Sequence, residues 1–155
     1  MRDSDLIEFI ASGRLGYIQV GSTKEDVRRA FGDPKHIHAW MEGYVLNPIA
    51  WNFDDLYIGF NDKTELVAYI GIKPKSFKQI PAKTGGQNLV SHGLKFGIEI
   101  EQYEALVEPF DLYYTEKRQW DYDGWILEYP SGVGVWFQGQ PGGKAPLFEI
   151  CIGNH

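Results

Sequence analysis

The sequence predicts an α+β fold made of two tandem repeats, each a helix followed by an antiparallel meander. Three observations favour it. Aromatic residues make up 15% of the 155 residues and 18 residues are glycine, a composition that suits twisted antiparallel sheet. Helix signals precede runs of short alternating segments. The same order of signals then returns about 74 to 80 residues further along the chain.

Two helix signals open the first repeat. Residues 5–12 show an apolar helical face followed by Gly13. The helix signal at residues 23–31 is stronger, because two candidate caps are each followed three residues later by an acid, the pattern of a capping box. The candidate N-caps are Asp3 and Ser4 for the first helix and Ser22 and Thr23 for the second. Gly32 and Pro34 are expected to end the second helix.

Four alternating segments follow, separated by short turns. They are His36–Trp40, Ile49–Phe53, Leu56–Phe60 and Leu66–Ile72. Short strands joined by tight loops are typical of an antiparallel meander, and the preceding helices are expected to cover one of its faces.

The second half repeats this plan with diverged surfaces. Its proposed counterparts are Glu99–Val107 for the helix at 23–31, Trp125–Leu127 for Trp51–Phe53, Val133–Phe137 for Tyr57–Phe60, and Phe148–Gly153 for Ala68–Ile72. We therefore predict a first α+β repeat at 1–75, a linker at 76–92 and a second repeat at 93–155. The two meanders can join as one continuous concave sheet with helices on one face.

The charge is acidic and uneven. The net charge is −6, and residues 99–128 hold nine acids against Lys117 and Arg118. This excess argues against nucleic acid and favours a basic partner, although mild acidity for solubility alone stays open. The first residues lack the layout of a signal peptide and no apolar stretch approaches the roughly 20 residues of a membrane span. A cytoplasmic protein without a membrane partner is expected.

Candidate metal ligands and nucleophiles are sparse. His36 and His38 alternate on one strand and could share a metal, but two ligands without a third make a weak site. Cys151 lies in an apolar run, where a buried thiol is favoured over a nucleophile. No metal site is predicted.

Three carboxylates offer the other route to an enzyme. Asp121 and Asp123 flank Tyr122, and with Glu128 they could serve as acid and base in glycoside hydrolysis. Acids in a loop beside a strand are usually only solvated. The sequence therefore predicts no catalytic residue and no cofactor.

Residues 113–125 are the most unusual stretch, because they mix five aromatic residues with acids. A hairpin tip is predicted with Asp123 and Gly124 as the turn pair, which leaves Trp120 and Tyr122 exposed and Trp125 in the core. Aromatic anchors beside acids are typical of a protein interface. The predicted partner-binding residues are Trp120, Asp121, Tyr122, Asp123, Tyr114 and Glu116, with Trp40 and Tyr44 as a weaker counterpart in the first repeat.

A short phrase in the first repeat resembles a known bacterial unit. Gly21–Val27 and Phe31–Pro34 give a glycine, a capping Ser/Thr, an acidic helix and Gly-Asp-Pro before a meander. This resembles the repeat of the β-lactamase inhibitory protein family, which is shared with outer-membrane assembly lipoproteins. The family's tandem repeats form a sheet that clasps an enzyme, and similar small proteins act as immunity proteins. This chain lacks the family's paired cysteines and export signal, so no inhibitory residue is carried over.

These observations together favour a protein that binds rather than catalyses. We expect a non-enzymatic inhibitor, most specifically an immunity protein that neutralises a bacterial toxin, with a basic toxin or enzyme as its partner. Two alternatives stay open. An envelope or assembly scaffold would need an export or lipidation signal, and a small hydrolase would need a site that the sequence does not reveal.

Overall fold

The computed structural model describes residues 4–42, 45–73, 83–84, 87–120, 124–139 and 144–153. Side chains are described for these residues except 38–42, 45–49, 83, 84 and 87. The described chain is a mixed α/β protein with three helices and an eight-stranded antiparallel sheet. None of the described helices is long and apolar enough to cross a membrane.

The elements follow the chain in this order: β1 Ser4–Asp5, α1 Leu6–Ser12, α2 Lys24–Phe31, β2 His36–Glu42, β3 Val45–Phe53, β4 Leu56–Phe60, β5 Val67–Ile72, β6 Lys83–Thr84, β7 Gln87–Val90, α3 Ile100–Val107, a short 3₁₀ helix Glu108–Phe110, β8 Glu116–Trp120, β9 Gly124–Glu128, β10 Gly134–Phe137 and β11 Leu147–Gly153.

The large sheet has the strand order β2-β3-β4-β5-β11-β10-β9-β8. Each half of this order is a meander of four consecutive strands, so the two meanders share one continuous sheet, an arrangement that the sequence allowed but did not decide. The halves meet where β5 pairs antiparallel with β11, and Gly71 lies directly opposite Cys151 at this junction. The last strand of each meander is therefore central, and the first strands, β2 and β8, form the edges.

The first helix begins one residue later than predicted, and its cap differs. The cap is Asp5, whose Oδ1 accepts hydrogen bonds from the backbone N–H groups of Ile7 (2.8 Å) and Glu8 (3.0 Å). Asp3 and Ser4 were the predicted caps. Ser4 and Asp5 instead form β1, and the extended backbone of Asp5 aims its carboxylate at the first helical turn.

The other two helices have caps of related type. Thr23 caps α2 because its hydroxyl accepts from the Asp26 N–H, and the Thr23 N–H donates to the Asp26 carboxylate, which confirms the capping box predicted for Thr23. In α3 the side chain of Gln102 accepts from the N–H of Glu99 at 3.0 Å. Helix α3, the helix of the second predicted repeat, therefore keeps part of the capping pattern although it lacks Ser or Thr at the cap.

All three helices pack on one face of the sheet, and the hydrophobic core lies between the helices and that face. The Phe31 and Phe53 rings are 5.7 Å apart, and those of Tyr103 and Phe137 are 5.4 Å apart. The hydroxyl groups of Tyr103 and Tyr129 share a buried hydrogen bond of 2.6 Å. The sheet residues of this core include Trp51, Phe53, Leu56, Ile58, Ile70, Ile72, Leu127, Val135, Phe137, Leu147 and Ile150.

The segment between the meanders, predicted as a linker at 76–92, contributes two short strands. β7 pairs with β6 and lies parallel to β1, with Leu89 opposite Ser4. Nε2 of His92 lies 2.7 Å from Oδ2 of Asp5 beyond this pairing. The described part of this segment is therefore tied to the start of the chain.

Candidate functional site

The face of the sheet opposite the helices is called the open face below. Residues directly opposite each other in an antiparallel pair point to the same side, so the strand register assigns its members. They include His36, Ala50, Asn52, Tyr57, Gly59, Tyr69, Gly71, Glu116, Arg118, Trp120, Gly124, Ile126, Glu128, Gly134, Trp136, Glu149, Cys151 and Gly153. No described helix packs on this face.

An aromatic cluster stands on the open face of the second meander. The Trp120 ring is stacked on Phe148 at 5.7 Å and meets Trp136 edge-on at 5.0 Å. All three side chains are half-buried. Phe148 joins the cluster because the β10–β11 register shifts after Trp136 and leaves it as the extra residue of a bulge. The term aromatic cluster refers below to these three residues.

Glycines beneath the two tryptophans hold the rings close to the sheet. The Nε1 of Trp136 lies 2.9 Å from the place where a Cβ on Gly134 would stand. The Nε1 of Trp120 lies equally close to the same place on Gly124, and it donates to the carbonyl of Phe137 at 3.2 Å. A side chain at either glycine would displace the indole above it, so the cluster depends on both.

A buried carboxylate lies beside the aromatic cluster. Glu149 is only 4% exposed, and it accepts a hydrogen bond from the hydroxyl of Tyr69. Tyr69 reaches it by passing over Gly71, where a side chain would collide with the phenol. Burial and the nearby Glu149 raise the pKa of Tyr69 above its usual range. The phenol therefore remains a hydrogen-bond donor at neutral pH.

Cys151 lies between these groups and is buried, as the sequence predicts. Burial is the main factor that raises its pKa to about 12, and Glu149 adds to the effect. Hydrogen bonds with Trp136 and Tyr69 act in the opposite direction but do not outweigh burial. The thiol stays protonated at neutral pH, which is the state of a structural cysteine rather than a nucleophile.

Acidic side chains border the aromatic cluster. In β8 to β11 the open face carries the carboxylates of Glu116, Glu128 and Glu149 against the single guanidinium of Arg118. The Nη2 of Arg118 lies 2.6 Å from Oε1 of Glu128, in a half-exposed ion pair. The excess of carboxylates makes this half of the open face suited to a cationic group.

The structure brings together only some of the predicted partner-binding residues. Trp120 and Glu116 share the open face, although Trp120 is half-buried rather than exposed. Tyr114 lies elsewhere: it is 39% exposed, and its ring is 6.4 Å from Tyr129, whose side chain belongs to the helix-side core. Asp121, Tyr122, Asp123 and Tyr44 lie outside the described residues, as does the side chain of Trp40.

The predicted turn also differs in position. Gly124 is the first residue of β9 and lies opposite Trp120, so it does not form the tip of the hairpin with Asp123. The close approach of the Trp120 indole explains why a glycine occurs there. Trp125 faces the helix side and packs against the core, as predicted.

Four members of the site were missed by the sequence-based prediction. The alternation of Val133, Val135 and Phe137 as core residues would have placed Trp136 on the opposite face. An acid within an apolar strand was the corresponding signal for Glu149. No sequence signal marked Tyr69 or Phe148. Gly71 lies beneath Tyr69 and a bulge places Phe148, and both features arise only when the strands pair.

The described residues contain no group of three His, Cys, Asp or Glu side chains that could hold a metal ion. His36 is exposed on edge strand β2, opposite Asn52, and the His38 side chain lies outside the described part. Of the three predicted acid and base candidates, only Glu128 is described, and it pairs with Arg118.

A separate groove of about 740 Å³ lies beside α2. It is lined by Tyr17, Ile18, Gln19, Val20, Gly21, Ser22, Asp26, Arg29 and Ala30. Its charged groups serve the helix itself, because Asp26 forms the capping box and Arg29 pairs with Glu25 and Asp26. The open face therefore remains the stronger candidate for a binding site.

Comparisons with protein-family models, curated proteins and solved structures find no match for this chain. The candidate site is accordingly defined by its own geometry.

Proposed function

We propose that this chain is a non-enzymatic protein-binding inhibitor, most specifically an immunity protein that neutralises a bacterial toxin by occluding its active surface. The observation that carries the proposal is the aromatic cluster, set among carboxylates on the open face. Tryptophan anchors supply much of the binding energy in protein interfaces, and surrounding acids speed association with a basic partner.

The rigidity of the site supports the same function. The aromatic cluster stands on three strands of one sheet, and its tryptophans are seated against Gly124 and Gly134. A binding surface that is already ordered loses little conformational entropy when the partner docks. Such a surface suits inhibition by occlusion, since no rearrangement has to precede binding.

We also propose that the two meanders are copies of one unit, as in the family that the sequence resembles. Two hydrogen bonds connect Val67 to the turn before α2: the Gly21 N–H donates to the Val67 carbonyl at 2.7 Å, and the Val67 N–H donates to the Ser22 carbonyl at 2.8 Å. Leu147 makes the same two bonds with the turn before α3. Its carbonyl accepts from the Gly97 N–H at 2.8 Å, and its N–H donates to the Ile98 carbonyl at 2.7 Å. Matching long-range contacts support duplication more strongly than matching residue types.

The strand registers support the same duplication and adjust its alignment. Both meanders have a register shift at the same place, after Gly59 in the first and after Trp136 in the second. Counting pairs outward from these shifts makes Leu127, rather than Trp125, the counterpart of Trp51. This counterpart lies two positions from the one given by residue type, which matched Trp51 with Trp125.

The two copies differ at the candidate site. In this alignment Gly59 stands where the second copy has Trp136, and Ala68 stands where it has Phe148. The aromatic cluster is therefore specific to the second copy. We propose that the second copy supplies the main contact with the partner.

A growth assay tests the proposed function. The protein encoded beside this chain's gene is expressed in a host that it arrests, with and without this chain. We expect wild type to restore growth and Trp136→Arg to restore less, while the control Tyr113→Arg, at a side chain 75% exposed and off the open face, protects fully. A neighbouring protein that is harmless, or full protection by Trp136→Arg in soluble, folded form, would contradict the proposal.

The predicted acids Asp121 and Asp123 test the electrostatic part separately. The double variant Asp121→Lys, Asp123→Lys is expected to slow association with a basic toxin, and the loss should shrink at high salt. Unchanged association rates at low salt would remove these two residues from the interface.

A further inference from the structure

The tryptophans on the two faces of the sheet differ in their surroundings. On the helix side, the guanidinium of Arg28 lies 4.8 Å from the ring centre of Trp51, and the ammonium of Lys117 lies 4.9 Å from that of Trp125. On the open face, no cation of the described residues lies over Trp120 or Trp136. Of the four tryptophans whose side chains are described, two thus lie beneath cations of the chain itself, and Trp120 and Trp136 have no such cation among the described residues.

Carboxylates lie at the positions next to Trp136. Glu149 is directly opposite Trp136 on β11, and Glu128 is opposite Gly134 on β9, beside the point where the Trp136 indole lies. Glu149 is buried and accepts a hydrogen bond from Tyr69, so the accessible carboxylate is that of Glu128. Glu128 and Trp136 are diagonal neighbours, and such neighbours lie about 7 to 8 Å apart, within reach of long side chains. A group bound over the indole would therefore lie within reach of the Glu128 carboxylate.

A guanidinium is the chemical group that fits this arrangement best. It is planar and always charged, stacks on aromatic faces, and forms paired hydrogen bonds with carboxylates. Arg118 already makes one contact of this kind, because its Nη2 donates to Oε1 of Glu128 at 2.6 Å. A carboxylate accepts from more than one donor, so a second guanidinium can share Glu128.

We propose that the open face binds an arginine side chain of a basic partner protein, with the guanidinium over Trp136 and hydrogen-bonded to Glu128. This inference rests on the proposed function only for the nature of the partner, a protein. It defines the recognised group as a guanidinium rather than a lysine ammonium, an acidic peptide or an apolar side chain.

A nona-arginine peptide is the probe, with nona-lysine and nona-glutamate as comparisons. We expect nona-arginine, at low salt, to shift the indole N–H resonance of Trp136 in a ¹H–¹⁵N correlation spectrum and to leave that of Trp51 in place. Nona-lysine should bind several-fold more weakly, and nona-glutamate should not bind. Shifts confined to α3, whose acids offer a competing acidic surface, or equal affinity for the lysine peptide would overturn the proposal.

Variants test the same contact by calorimetry. Trp136→Leu should weaken nona-arginine binding by about five- to tenfold, the range of a partly desolvated cation–π contact. Trp136→Phe should lose less, because it keeps a ring, and the control Tyr57→Leu should bind as wild type does, since Tyr57 lies on the open face outside the aromatic cluster. Unchanged affinity in folded Trp136→Leu would exclude the site.

The two proposals can fail independently. Growth protection that depends on Trp136, together with no binding of nona-arginine, would leave the inhibitor function standing and exclude the arginine site. Specific nona-arginine binding at Trp136 without any growth protection would support the arginine site and exclude the inhibitor function.

Discussion

The hydroxyl of Tyr69 donates a hydrogen bond to the carboxylate of Glu149, across the junction between the two meanders. These residues are 80 positions apart in the chain, and both are buried. The Tyr69 side chain reaches Glu149 over Gly71, which has no side chain to obstruct it. The junction is thus held by a buried polar contact as well as by the backbone pairing of β5 and β11.

Tyr69→Phe should destabilise the protein by about 1 to 3 kcal/mol, because a buried acceptor loses its donor while the ring's apolar contacts remain. Urea unfolding followed by far-UV circular dichroism measures the change. The control is Tyr113→Phe, at a phenol that is 75% exposed, where a change below about 0.5 kcal/mol is expected. Equal stability of Tyr69→Phe and wild type would show that the hydrogen bond adds nothing net.

Gly71→Ala should also destabilise the protein, because the added methyl would overlap the hydroxyl end of Tyr69 and force the ring away from Glu149. Overpacking of this kind costs about 1 to 3 kcal/mol. Gly59→Ala is the matched control, since its methyl would lie 3.3 Å from the Cβ of Tyr69 and no closer than 3.8 Å to the ring. In the double variant with Tyr69→Phe the two losses should not add, and strict additivity would contradict the proposed contact.

Cys151 should make stability sensitive to alkaline pH. Burial raises its pKa from 9.0 to about 12, so the folded state retains a proton that the unfolded chain releases. This contribution is complete below pH 9 and is lost as the pH rises towards 12, at about 1.4 kcal/mol per pH unit. Between pH 8.5 and 10, Cys151→Ala should lose less stability than wild type in urea unfolding. Parallel losses in both proteins would exclude this role for the thiol.

Asp5 should make stability sensitive to acid. Burial raises the pKa of Asp5, but hydrogen bonds with His92 and with the backbone N–H groups of Glu8 and Ile7 outweigh it and hold the pKa below 3.8. The resulting stability is present above pH 3.8 and is lost as the pH falls through the lower folded value.

Asp5→Asn tests this acid dependence, because asparagine still caps a helix but carries no titrating charge. We expect the urea midpoint of wild type to fall more between pH 6 and pH 3 than that of Asp5→Asn. An identical fall in both proteins would show that the contacts of Asp5 do not contribute to acid unfolding.

Local features of the fold could be predicted from the sequence because their causes lie within a few residues. The capping box at Thr23 and Asp26 is such a feature, and so is the alternation that predicted β4 and β5. Even the wrong cap of α1 was an error of one or two residues. The small sheet of β1, β6 and β7 was not predicted, because strands of two and four residues carry too little pattern to be recognised.

The candidate site was less predictable. Residues 113–125 were identified as the most unusual stretch, but of the partner-binding residues predicted there only Trp120 and Glu116 lie on the open face within the described chain. Trp136 and Phe148 come from strands that are distant in sequence from Trp120, and a bulge brings Phe148 to the cluster.

The sequence by itself determined the class of the protein, its helices, most of its strands and its acidic second half, because composition, periodicity and caps act over a few residues. Only the tertiary structure decided which aromatic rings meet, that Glu149 is buried against Tyr69, and that Gly71, Gly124 and Gly134 are needed beneath side chains. The physical reason is register: a shift of one residue in strand pairing reverses the face on which every side chain lies.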